Sequence, residues 1–221
     1  LNIGLQLASR LSPHAAVWIS EPSWPNHAHV ARTLGYPVSN YQYAGSDGTL
    51  NSSAFFEDLR GAKTGDIVII QGPCHNPTGI DLSIEQWRKL AEIVNASGLI
   101  PFVDIAYHGL GKGLEEDIAS VRAFLSEIPQ ALISYSCSKN FGLYRERTGL
   151  FAYMASNPDM KERASSHIAS LVRASYSMPP AHGAAIVANI LSDESRRQVW
   201  ETELSDMRAR LTEMRLSFAE E

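Results

Sequence analysis

The chain has 221 residues, of which 44% are hydrophobic and 19% charged, with a formal net charge of −5. That length is ample for a full core. The mild acidity excludes the basic footprint of a general nucleic-acid binder, and no apolar run approaches the roughly 20 residues that span a bilayer. The two cysteines, Cys74 and Cys137, fall in strand-like segments. They read as free thiols of a reducing, cytoplasmic compartment and not as a disulfide framework.

The chain opens on "LNIGLQLASRL", a mostly apolar helical stretch with no capping residue before it. This start reads as the inside of an element, so the N-terminal part of the domain is expected to be missing. Six short apolar runs follow, at 15–19, 38–44, 66–72, 99–107, 131–137 and 149–155. Several are apolar on both faces, as parallel strands covered by helices are. Between 66–72 and 99–107, Ser83 and Gln86 have the spacing of a capping box, and Ile84, Trp87, Leu90, Ala91 and Val94 form one helical face that Gly98 ends. The stretch "EEDIASVRAFLSEI" predicts another helix with acidic residues in its first turn. This alternation argues for an α/β fold with a mostly parallel sheet flanked by helices. The tail, 195–221, contains no Gly or Pro, and Trp200, Leu204, Met207, Leu211, Met214 and Phe218 recur at three- and four-residue steps. It predicts one long amphipathic helix, either a connector from a large domain at 1–194 toward an absent smaller one or a plain packing helix.

In parallel sheets of this kind ligands bind beyond the carboxyl ends of the strands. Four strand ends carry polar clusters: "EPSWPNH" (21–27), "PCHNPTG" (73–79), "DIAYHG" (104–109) and "CSKNFG" (137–142). Taken singly each has a bland reading. Trp24 serves as a core aromatic, His27 as a surface histidine, Asn76 as a turn residue and Asp104 as a helix cap. Tyr107 serves as a half-buried tyrosine, and Lys139 and Arg147 as solvated charges. Jointly these readings weaken. A carboxylate leaving "IPFV" needs donors or a cation, and an amine desolvated near other cations gives up its proton and becomes nucleophilic. Pyridoxal phosphate answers all of these demands. Its aldehyde takes a lysine amine, its ring nitrogen a carboxylate, its phenolic oxygen donors such as Tyr and Asn, its ring an aromatic plate, and its phosphate an arginine with hydroxyls.

The segments "SWPNH", "HNPTGIDLSIEQW", "DIAYHGLGKGLEED", "SCSKNFGLYRERTG" and "RASYSMPPAHGA" resemble the class I aminotransferases of the aspartate and aromatic amino-acid subgroup, in order and in spacing. The similarity runs from about Val17 to the end of the chain. It implies the large-domain portion of the fold-type I transferase fold. Lys139 resembles the Schiff-base lysine, which also moves the proton in transamination. Asp104 resembles the partner of the ring nitrogen, and Tyr107 and Asn76 the donors to the phenolic oxygen. Trp24 resembles the stacked ring, His27 the residue standing behind Asp104, and Ser136 and Arg147 two phosphate ligands. Arg173 resembles an arginine that reaches the neighbouring subunit's site and binds a distal carboxylate, which implies a homodimer with shared sites.

The resemblance also marks departures. A glycine-rich phosphate loop would precede Leu1, as would a segment carrying a tyrosine used across the dimer. An arginine for the substrate α-carboxylate would follow Glu221. Met178 stands where aspartate-selective members carry Asn, and His108 and Arg145 differ from the commonest residues, which leaves room for aromatic donors. The implied activity is ping-pong transamination between aspartate, glutamate or an aromatic amino acid and a 2-oxo acid such as 2-oxoglutarate. The competing expectations are a truncated pyridoxal phosphate-binding or dimerising module without turnover, and a related lyase. A metal hydrolase built on Cys74, His75 and His27 is a weaker third, since no metal-ligand spacing is present.

Overall fold

The computed structural model describes residues 1–219. Helix α1 (Asn2–Leu11) leads to β1 (Val17–Glu21), α2 (Pro25–Thr33), β2 (Val38–Gln42) and α3 (Ser52–Arg60). Then come β3 (Ile67–Gln71), α4 (Ile84–Ser97), β4 (Ile100–Ile105), α5 (Leu114–Ser126), β5 (Gln130–Ser136) and β6 (Gly149–Ala155). Helices α6 (Pro158–Ser175), α7 (Ala181–Leu191) and α8 (Glu194–Ala219) follow. Residues 220 and 221 of the expected terminal helix lie outside the described residues.

The six strands form one sheet in the order β2-β1-β3-β4-β5-β6. Pairing is parallel from β2 to β5 and antiparallel between β5 and β6. Parallel neighbours need long crossovers, and α2, α4 and α5 supply them for β1 to β2, β3 to β4 and β4 to β5. The unbroken apolar runs follow from burial on both faces. In β3, Val68 and Ile70 pack with Phe55, Trp87, Leu90 and Phe124. Ile67 and Ile69 face the opposite way, into a second core with Leu5, Leu7, Ala31 and Leu171. Strand side chains alternate between faces, so two cores need apolar residues at every position.

Helix α4 starts and stops as its sequence predicts. Ser83 Oγ accepts from Gln86 N at 3.3 Å, and Gln86 Oε1 accepts from Ser83 N at 2.7 Å. Gly98 closes the helix in the left-handed region at φ 64°, which glycine adopts without a Cβ penalty.

The strand frames shift where polar groups intervene. The run at 15–19 pairs only from Val17, because the Ala16 N–H is taken by Asp66 Oδ1 at 2.8 Å. Cys74 is not in a strand: it lies in the turn after β3 with φ 61°. Cys137 sits one residue past β5. Of the apolar stripe on α8, Leu204 is fully buried and Trp200 partly, whereas Met207, Leu211, Met214 and Phe218 are exposed. Leu204 seats on Gly109 (φ 89°), where a Cβ would stand 2.5 Å from Leu204 Cδ2, so glycine is required both by the backbone and by the helix against it.

Candidate active site

The carboxyl ends of β1, β3, β4 and β5 open on one cleft of about 710 Å³. The parallel register aligns these ends, so residues distant in sequence converge. Trp24, Asn76, Asp104, Tyr107, Ser136, Lys139 and Arg147 all line this cleft. Two further expected site residues do not. His27 is fully buried behind Asp104. Arg173, on α6, is exposed and donates to Ser177 Oγ within its own segment.

Asp104 is the residue before the last of β4, where it pairs with Ser134 of β5. Ser134 Oγ donates to Asp104 Oδ1 at 2.5 Å, and His27 Nε2 donates to Oδ2 at 2.9 Å. The His27 ring is itself fixed through Nδ1, 3.0 Å from Ser23 Oγ. Burial alone would raise the Asp104 carboxyl, but the bonds and charge from His27, with the Ser134 bond, outweigh it and hold the group below its ordinary value. The cleft floor therefore carries a negative charge with two fixed donors behind it.

Tyr107 lies just past β4. Asn76 Nδ2 donates to its hydroxyl at 3.3 Å. Burial raises the Tyr107 phenol and Asn76 pulls it the other way, with a net rise, so the hydroxyl keeps its proton and can donate. The Asn76 backbone is clamped by one side chain: Gln71 Oε1 accepts from Asn76 N at 2.9 Å, and Gln71 Nε2 donates to Asn76 O at 2.8 Å. Lys139 Nζ lies 4.8 Å from the Tyr107 ring centroid, which brings the amine to the phenol. Trp24 is 39% exposed, too open for a core aromatic. Its ring meets His27 edge to face at 5.3 Å, which leaves an indole face toward the cleft. Arg147 has φ 52°, and its Nη1 donates to Tyr144 O at 2.9 Å. Among the described residues it pairs with no carboxylate, so the guanidinium can take an anion from the cleft. Ser136 Oγ, across the same cleft wall, accepts from Ser138 N at 3.2 Å.

Ser134 and Gln71 escaped the sequence reading. A signal for each exists, since each is a polar residue in or at the end of an otherwise apolar strand beside an expected site residue. Cys74, His75 and His27 do not gather as metal ligands. His75 is held between Ser20 Oγ and Thr78 Oγ1, both at 2.9 Å, His27 serves Asp104, and burial pushes the Cys74 thiol up to about 12.

A carboxylate, an amine, a phenol, an amide, an indole and an arginine around one cleft restrict the kinds of protein the chain can resemble. The aspartate aminotransferase of Salmonella typhi is 44% identical over 219 residues, 99% of this chain and 55% of that protein. The aromatic-amino-acid aminotransferase of Paracoccus denitrificans is 41% identical over 222 residues, 100% of this chain and 56% of that protein. Among solved structures, the aromatic-amino-acid aminotransferase of Burkholderia pseudomallei, covalently bound to pyridoxal phosphate, superposes with a TM-score of 0.94 at 39% identity, over 97% of this chain and 54% of that one. The chain thus spans about half the length of the curated relatives it matches. The profile of aminotransferase class I and II matches residues 1–221 in full; the chain belongs to that family.

Proposed function

We propose that this chain is the large-domain part of a pyridoxal phosphate-dependent transaminase that moves an amino group between an aspartate-like, glutamate-like or aromatic amino acid and a 2-oxo acid. The observation that carries the reading is Asp104, a buried carboxylate kept ionised by His27 and Ser134 at the floor of a cleft that also holds Lys139. The donor set fits the cofactor. Asp104 would hold the ring nitrogen, Tyr107 and Asn76 the phenolic oxygen, Trp24 the ring face, and Ser136 and Arg147 the phosphate.

Bound pyridoxal phosphate supplies a carbonyl for amine exchange and a ring that withdraws electron density from the substrate α-carbon. The chain's own residues do the rest. Lys139 Nζ takes and returns the proton at the substrate, from a position beside Tyr107. Tyr107, still carrying its hydroxyl proton, would donate to the cofactor's phenolic oxygen. Gln71 keeps Asn76 in reach of that hydroxyl. Arg173 is exposed and stands outside its own chain's cleft, which supports a role for it in a second subunit's site, where it would meet a distal carboxylate. Met178, 77% exposed, adds an apolar surface in the same segment and favours a pocket that also takes aromatic side chains. With both cysteines free, the proposed setting is a reducing cytoplasm.

The experiment is a visible spectrum of the full protein with pyridoxal phosphate, followed by addition of aspartate or phenylalanine and then 2-oxoglutarate. A band that shifts with the amino acid and returns with the 2-oxo acid is the expected result. Release of ammonia or carbon dioxide in place of a new amino acid would make the protein a lyase. A band that forms and never shifts would leave only binding.

A further inference from the structure

We infer that His108 is a positioning residue for the Lys139 turn, acting through Tyr135 and Asn140; the inference rests on the reading of Lys139 as the cofactor lysine. His108 follows Tyr107 at the end of β4 and bridges to the end of β5. Its Nε2 lies 2.7 Å from Leu114 O, and its Nδ1 2.9 Å from the Tyr135 hydroxyl. A carbonyl only accepts, so Nε2 carries the proton. In the neutral ring Nδ1 then accepts, and Tyr135 must donate to it. The Tyr135 oxygen is left to accept, and it takes Asn140 Nδ2–H at 2.7 Å. The same Nδ2 donates to His108 O at 3.2 Å. Turning the Asn140 amide over would bring its oxygen against that carbonyl, so one orientation is selected, with Oδ1 buried and unpartnered among the described residues.

Asn140 is the residue after Lys139 and is 1% exposed. Its side chain is held by this relay, and its carbonyl accepts from Trp200 Nε1 of α8 at 2.7 Å. Phe141 stacks on the same indole at 4.4 Å. The turn that carries the amine is therefore fixed from the sheet side by His108 and Tyr135 and from the helix side by Trp200. With the Tyr135 proton committed to His108 Nδ1, the side of the phenol oxygen that faces Asn140 is fixed as an acceptor.

The test follows attachment of pyridoxal phosphate at Lys139 in the full protein, by visible absorbance and by mass of the borohydride-reduced peptide. His108→Gln keeps a donor and an acceptor and should stay near the wild-type rate. His108→Leu and Tyr135→Phe should each slow attachment about tenfold. The double variant should be no slower than the slower single, because both cut the same relay. Losses that multiply in the double variant, or a His108→Gln variant as slow as His108→Leu, would overturn the inference. Should His108→Leu fail to fold, Tyr135→Phe at the wild-type rate overturns it equally. A wild type that takes no pyridoxal phosphate sinks the cofactor reading instead. Ring-nitrogen NMR then decides the relay by itself, with Nε2 protonated supporting it and Nδ1 protonated ending it.

Discussion

A carboxylate at the end of an apolar strand stays charged only where donors replace the water it has lost. At Asp104 the donors come from β5 and α2, through Ser134 and His27. They keep the group ionised despite burial. Asp104→Asn preserves the shape and leaves an oxygen for His27 but removes the charge. We expect kcat/KM to fall by about 10³-fold with little change in thermal midpoint, measured by coupled assay and calorimetry on the full protein. His75 shows the opposite tuning. Burial, with the nearby His27 second, pushes its ring down to about 4, while it stacks on Tyr43 at 3.9 Å. In the unfolded chain an imidazole binds its proton below about 6.5. Between those values the unfolded state binds more protons than the folded one, so stability falls as the pH falls through that window. The loss should approach about 3 kcal/mol near pH 4. His75→Gln should flatten that limb in urea titrations run at several pH values; an unchanged slope would assign the acid sensitivity elsewhere.

At the scale of elements, α4 shows what was legible and why. Its start, its buried face and its stop all depend on local chemistry, and Ser83, Gln86, Trp87, Leu90 and Gly98 behave as their spacing predicts. Ser83→Ala should cost about 1 kcal/mol, read as a lower urea midpoint with an unchanged m-value. The strand ends were legible for a second reason: a parallel sheet buried on both faces leaves only its carboxyl ends for polar clusters. By that rule Trp24, Asn76, Asp104, Tyr107 and Lys139 come to one cleft, and the family resemblance adds Ser136 and Arg147 as phosphate ligands; all seven line the cleft. Partners set by register were not legible. Ser134 meets Asp104 because β5 pairs with β4 at that step, and nothing local to either strand states the step. Gln71 reaches Asn76 across a turn whose path the sequence does not give. Helices α2, α3, α6 and α7 were likewise not drawn from the sequence. Helix α7 in particular has apolar residues on all sides, with Gly183 its one buried residue, so no periodic stripe marks it.

At the scale of the whole molecule that apolar, largely uncovered helix is itself informative. On the proposed shared-site reading, this exposed apolar surface would be a contact with a second copy. Tyr176 and Met178 continue it, at 52% and 77% exposure, on the segment that also carries Arg173. A two-fold contact through this face would carry Arg173 of each copy toward the other's cleft and leave each cleft dependent on both copies. That arrangement has a sharp consequence for mixing. The full-length Lys139→Ala and Arg173→Ala proteins should each be nearly inactive toward aspartate. After subunit exchange about half the dimers are mixed, and each mixed dimer holds one cleft with an intact Lys139 and an intact partner arginine. Activity should therefore return to about a quarter of wild type, with no matching recovery when either variant is exchanged with itself. If the mixture stays silent although exchange is shown by native mass spectrometry, Arg173 works within its own chain or not at all, and the shared-site reading falls while the roles of Lys139 and Asp104 stand.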